Sequence, residues 1–228
     1  RYERPFDAVS DGLQAWEAKD FDRAERLLRQ GVEAYRRHEP ADVHFALGRL
    51  AAFLLQQERV DEAAEVLEEA IGMGTDIPAI WFDYMDVMAR RRDINGLFEA
   101  ASRLPTATSL GAVSADAPWE ALLGYARRAS RAGDSGFAVD VAAKVVEWSR
   151  ERGATAARWA ATGDLGEIRE RAGEQDAALA IWQAAFDEGS NDPTTANRLS
   201  MHLERRKEYA RAALVIEEAL RRKVPANV

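Results

Sequence analysis

One phrase, repeated six times, limits what this chain of 228 residues can fold into. A short polar turn is followed by an acidic or amide residue, then by an alanine that opens an apolar stripe. The phrase reads Lys19-Asp20-Phe21-Asp22-Arg23-Ala24, Glu58-Arg59-Val60-Asp61-Glu62-Ala63, Gly133-Asp134-Ser135-Gly136-Phe137-Ala138, Gly173-Glu174-Gln175-Asp176-Ala177-Ala178 and Lys207-Glu208-Tyr209-Ala210-Arg211-Ala212. A weaker copy, Arg92-Asp93-Ile94-Asn95-Gly96-Leu97, puts Leu97 at the alanine position. The markers at 24, 63, 97, 138, 178 and 212 are 39, 34, 41, 40 and 34 residues apart, the periodicity of stacked supersecondary units. After each marker the apolar positions recur at helical spacing, as in Ala63, Val66, Leu67, Ala70 and Ile71. Twelve places before the markers stand Gly12, Ala51, Ala126, Gly166 and Ser200, with Met85 as the exception. A small residue on each of two facing helices lets their axes approach, so each unit reads as a tight helix hairpin.

Proline placement agrees, because proline inside a helix costs about 3 kcal/mol but is tolerated in the first turn. Pro5, Pro78 and Pro193 open first helices, Pro40 and Pro118 lie just before one, and Pro105 and Pro225 follow second helices. No run of alternating β-branched residues argues for a strand, and Asn95-Gly96 reads as a turn between helices.

Taken together, the pattern resembles the tetratricopeptide repeat over nearly the whole chain. The 34-residue period, the small residues in both helices and the alanine at the start of the second helix carry the resemblance. Trp81 stands where the family places an aromatic early in the first helix, and Phe21, Val60 and Tyr209 fill the apolar position in the turn. Most first helices lack that aromatic, and the prolines do not sit at the family's usual end position. The resemblance implies an all-α fold, a right-handed α-solenoid of antiparallel helix pairs. Its units run approximately over 5–38, 44–77, 78–111, 118–152, 158–192 and 193–226 in a single array, 1–228.

The array has one irregular place. Met85 and Leu97 put bulk at both small positions of the third unit, which predicts a wider helix pair there. The longest linker follows, 105–118, with Thr106, Thr108, Ser109, Gly111 and Ser114 inside it, and is a candidate hinge. Charge divides at the same place: residues 1–114 hold 14 Lys+Arg and 21 Asp+Glu, whereas 115–228 hold 17 and 18.

The net charge of −8 argues against a nucleic-acid partner, which needs a positive footprint to displace counterions. No apolar run approaches the roughly 18–20 residues that span a bilayer. With no cysteine, the chain has no disulfide, thiolate metal site or cysteine nucleophile. His38, His44 and His202 form no pair at helical metal-ligand spacing, and neither a metal nor a cofactor is expected. Gly133-Asp134-Ser135-Gly136 copies the tetrapeptide around a protease nucleophile, but it occupies the repeat turn without a histidine partner, so no catalytic residue is assigned. Among the six tryptophans, Trp81 and Trp182 fall on apolar stripes as core. Trp16 faces the groove, Trp119 and Trp159 open first helices, and Trp148 ends a long second helix.

The family's usual work is to hold a peptide or a partner helix against a concave surface of first helices. The resemblance therefore implies a non-enzymatic interaction scaffold and carries groove positions onto this chain. These are Val9, Leu13, Trp16, Gly48, Ala52 and Leu55, then Phe82, Asp86, Ala89 and Arg90 in the third unit. Leu123, Arg127, Ser130 and Arg131 follow in the fourth, Gly163, Glu167, Glu170 and Arg171 in the fifth, and Asn197, Met201, Glu204 and Arg205 in the sixth. The groove should start apolar and become charged. Trp16, Phe82, Asp86, Arg90, Arg127, Arg131, Glu167, Arg171, Asn197 and Arg205 are the candidate partner-binding residues. The carboxylate clamp of chaperone-adaptor members does not carry over, since other residue types hold its positions. Arg90, Arg127 and Arg131, with Arg91, Arg92 and Arg128 nearby, are read instead as a basic patch for an acidic segment of a partner protein or peptide. Two alternatives stay open: an envelope or secretion-assembly scaffold of the exopolysaccharide-export type, and a regulatory arm of a larger enzyme or transcription regulator.

The Ala- and Arg-rich, Lys-poor composition suggests a bacterial chain, and a start at Arg1 suggests a piece excised from a longer one. The compartment stays unknown, with the cytoplasm slightly favoured and the periplasm open. The last second helix is expected to leave apolar neighbours of Val215 or Leu220 exposed at an uncapped end, a candidate surface for self-association.

Overall fold

The computed structural model describes residues 4–105, 107–108, 111–112 and 114–223. They form two compact units, Arg1–Ala115 and Asp116–Val228, whose boundary falls inside the 105–118 segment. Thr106 and Ser109 of that segment, Pro225 and the end of the sixth repeat unit lie outside the described residues.

The first unit contains α1 (Pro5–Glu17), α2 (Phe21–His38), a 3-10 turn at Pro40–Asp42, α3 (Val43–Gln56), α4 (Val60–Gly72), α5 (Pro78–Arg90) and α6 (Ile94–Ser102). The second contains α7 (Ala117–Arg131), α8 (Ser135–Glu151), α9 (Thr155–Arg171), α10 (Gln175–Asp187), α11 (Pro193–Arg205) and α12 (Tyr209–Lys223). Among the described residues there are thus six hairpins, three in each unit. Within a unit each second helix also packs on the next first helix, and successive first helices meet: α1 with α3, α3 with α5, α7 with α9, α9 with α11. This is the stacked-hairpin packing of an α-solenoid. None of the described helices is long and apolar enough to cross a membrane.

The repeated phrase supplies the turn. In all six hairpins the residue five places before the marker adopts a left-handed backbone, at φ +61° for Lys19, +59° for Glu58, +57° for Arg92, +86° for Gly133, +86° for Gly173 and +62° for Lys207. Asp20, Asp93 and Asp134 come next and cap the second helix, their carboxylates accepting from the backbone N–H three residues on. Gly133-Asp134-Ser135-Gly136 is therefore a left-handed turn followed by a helix cap.

Small residues make the close crossings. A Cβ on Gly12 would meet Leu28 at 3.0 Å, and one on Gly166 would meet the Trp182 ring at 2.2 Å. Trp81 and Trp182 are buried, as are Met85 and Leu97. In the second unit Trp182, Phe186, Leu199, Leu203 and Val215 share one core between hairpins five and six.

Several expectations are corrected. The 105–118 segment contains a two-residue antiparallel pair, β1 (Ala107–Thr108) with β2 (Gly111–Ala112), too short to leave an alternating pattern. Pro118 lies inside the first turn of α7, and α9 begins at Thr155, so Trp159 sits one turn inside its helix and is buried. At the last helix Leu214 and Leu220 are exposed, but Val215 is buried.

Candidate functional site

Second helices and the hairpin cores cover one side of each first helix, and the other sides form a shared face within each unit. In the first unit this face is built by α1, α3 and α5. Phe6 stacks on Phe45 with centroids 6.5 Å apart. Half-buried Trp16 sets its edge against Phe53 at 5.5 Å and donates Nε1–H to Gln56 Oε1, tying α1 to α3. The Arg49 guanidinium lies over the Phe45 ring, 5.3 Å from its centroid. On α5, Arg90 donates Nε–H to Asp86 Oδ2 at 2.7 Å and Nη1–H to Glu58 Oε2 at 2.7 Å. Phe82 and Asp83 beside them are half-buried. Burial, together with the neighbouring Asp86 charge, pushes the Asp83 carboxyl up to about 6, with Arg49 pulling the other way.

In the second unit α7, α9 and α11 present a lattice of charge. Arg127 Nη2 lies 2.7 Å from Asp164 Oδ2, and burial pushes the Asp164 carboxyl up against that pull. Glu167 accepts from Arg198 Nη2 at 2.8 Å and Arg171 Nη2 at 3.3 Å. Glu170 faces Arg198 Nη1 at 3.5 Å, Arg205 Nη1 at 3.5 Å and His202 Nε2 at 3.0 Å. The buried His202 ring packs on Trp182, centroids 5.3 Å apart.

The structure sorts the candidate residues. Within the first unit it brings Asp86 and Arg90 together and leaves Trp16 and Phe82 on the same set of first helices. Within the second, Glu167, Arg171 and Arg205 belong to one network, and Arg127 is paired to Asp164. Arg131 and Asn197 are exposed, and Arg131 has no ion pair among the described residues. Asn197 lines a small cleft of about 100 Å³ with Pro193, Ile216 and Leu220. The arginines read as a basic patch are largely matched: Arg90 by Asp86 and Glu58, Arg91 by Asp61 at 2.7 Å, Arg127 by Asp164. Arg128 lies over the Tyr125 ring. Val9, Leu55, Leu123, Ser130 and Gly163, which the family resemblance carries to the groove, are buried in packing.

Sequence reasoning passed over Arg49, Asp83, Asp164 and Arg198. All four stand fourteen places before the marker of their hairpin, two before the position that holds a small residue in every unit but the third, and they pair off at the repeat spacing of 34, 49 with 83 and 164 with 198. The readable signal was a charge inside an apolar run, as in Trp81-Phe82-Asp83-Tyr84-Met85. His202 gave no such signal, because its carboxylate partner is 32 residues away in sequence.

Comparison with known proteins bears on the fold. Residues 12–78 match the sequence profile of the tetratricopeptide repeat. No curated protein sequence matches the chain. Among solved structures, MamA protein is similar at 15% identity over 90% of this chain and 94% of its own, with a TM-score of 0.50. Nearly identical tetratricopeptide-like repeats from Podosopora anserina are 16% identical over 83% of this chain and 100% of theirs, at 0.49. YrrB, described as a tetratricopeptide protein with an unusual peptide-binding site, is 14% identical over 86% and 91%, at 0.47. Residues 12–78 are thus tetratricopeptide repeat sequence, and the chain carries the tetratricopeptide repeat fold.

Proposed function

We propose that this chain is a non-enzymatic protein-interaction scaffold whose first-helix faces hold a segment of a partner protein. The tetratricopeptide fold commonly serves protein–protein interaction, and the observation that carries the reading here is Trp16. A large aromatic with a polar edge, half-buried on that face and anchored to Gln56 of the next first helix, is the residue type that dominates binding energy at interfaces. Trp16, Phe82, Asp86 and Arg90 form the contact set of the first unit. Arg127, Arg131, Glu167, Arg171, Asn197 and Arg205 form that of the second. An acidic partner segment would meet Arg131 there, since the other arginines already have carboxylate neighbours. Exposed Leu214 and Leu220 on α12 give the surface through which self-association would run.

The test is affinity capture with the immobilised chain, beside Trp16→Ala, Arg131→Glu and a control at Glu65, exposed on the second helix α4, Glu65→Gln. Partners retained by wild type and by the control, and lost on Trp16→Ala, are the expected result. Equal retention by Trp16→Ala and wild type would remove this face from the reading.

A further inference from the structure

Most charges on the first-helix faces are answered from within the chain. Asp86, Glu167 and Glu170 each face arginine at hydrogen-bond or ion-pair distance, and Asp164 has Arg127. Asp83 does not fit that pattern. It is half-buried, yet its carboxylate accepts no hydrogen bond and makes no ion pair with any described residue. Arg49, the one cation among the described residues near enough to act on it, comes from the adjoining helix α3 and lies over the Phe45 ring. Asp86, one turn on, adds a like charge but is held by Arg90. The result is a half-buried carboxylate with no donor from the described residues, on a face whose other members are Phe45, Phe82, Ala52 and Trp16. Such a group is costly unless a donor arrives from outside.

We propose that Asp83 is the selectivity point of the first unit's face, accepting the ammonium or guanidinium of a lysine or arginine that a partner segment presents beside apolar side chains. Three observations favour this occupant. The unanswered carboxylate calls for a cationic donor, and a bidentate guanidinium or a compact ammonium supplies one. The surrounding aromatic and aliphatic surface calls for apolar side chains on the same ligand, which a metal ion or free amine lacks. The net negative charge of residues 1–114, 14 basic against 21 acidic, draws a basic segment toward this unit at long range. The inference rests on the reading that first-helix faces hold partner segments and adds the chemistry of the partner at one of them.

The experiment pans a displayed library of random short peptides against the full chain, the Asp83→Asn variant and the Glu65→Gln control. Asparagine keeps the shape and removes the charge, and thermal unfolding followed by circular dichroism shows that each variant folds. Expected are wild-type and control selections enriched in peptides with a lysine or arginine next to aliphatic or aromatic residues. The basic residue is lost from the Asp83→Asn selection, and a synthesised wild-type hit binds that variant about tenfold more weakly. Peptides enriched without a basic residue, or hits that bind Asp83→Asn as tightly as wild type, overturn the role of Asp83 and leave the groove reading intact. If no peptide is enriched on any of the three, the groove reading fails and this inference fails with it.

Discussion

At the scale of single residues the chain combines strong local signals with a few that only the folded neighbourhood creates. Marker alanines, capping aspartates and close-contact glycines were legible because each does its work within one hairpin. The left-handed turn residue was not, since glycine holds it in two hairpins and lysine, glutamate or arginine in the other four. Asp83 was visible as a charge in an apolar run, but its environment comes from α3 and the next turn of α5 and could not be read from sequence. Its consequence for stability has a definite sign. The folded carboxyl titrates at about 6, above the roughly 3.9 of an exposed aspartate, so between those values the folded chain holds a proton that the unfolded chain has released. That contribution is complete below about pH 4 and is lost as pH rises through about 6. Asp83→Asn is therefore expected to stabilise the protein by about 1–2 kcal/mol at pH 7, the lower part of what the shift alone would give because the group is only partly buried. The gain should vanish near pH 4. Urea unfolding at the two pH values checks this, and a variant no more stable than wild type at pH 7 would show that the carboxylate is not strained.

At the scale of elements, the hairpin is the unit the sequence specified best. All six pairs appear where the markers place them, and the departures are shifts of a few residues at helix starts, where the proline cue gives a region more than a residue. The lattice between hairpins was less legible. Arg198 reaches Glu167 and His202 reaches Glu170 across 31 and 32 residues, and no local pattern tells which charges will meet. Glycine offers a direct test of how tightly hairpins are built. On α9, a Cβ at Gly166 would come within 2.2 Å of Trp182 Nε1 and 2.4 Å of Cε2, and Trp182 is fully buried with its Nε1–H on the Gly163 carbonyl at 3.4 Å. On α7, a Cβ at Gly124 would meet only the far end of Arg128 at 3.8 Å. Gly166→Ala should cost about 1–3 kcal/mol by overpacking, whereas Gly124→Ala should gain about 0.5–1 kcal/mol from helix propensity. Chemical denaturation of the two variants side by side decides the matter: equal effects would mean that the α9–α10 crossing can open without loss.

At the scale of the whole molecule, the sequence reading made one array of the chain with a candidate hinge at 105–118, and the packing resolves two compact units that divide within that segment. Periodicity could not foresee the division, because it measures how often a phrase recurs and not which neighbours bury one another. A repeat array is stabilised by hairpin stability plus nearest-neighbour contacts, and about three repeats are the least that bury a continuous core. Each unit has three hairpins and its own core, with Leu28, Phe53, Leu67 and Met85 fully buried in the first and Leu122, Ile168, Trp182 and Leu199 in the second. Residues 1–115 and 116–228, produced separately, are therefore each expected to be helical by circular dichroism and to unfold cooperatively. The first should keep the peptide selectivity assigned to Asp83, because every residue that shapes that carboxylate, from Arg49 to Arg90, belongs to it. A first fragment that folds but loses the selectivity would mean that the second unit contributes to the site. A first fragment that does not fold would mean that its core is completed by residues beyond 115, and the single-array reading would then be the better description.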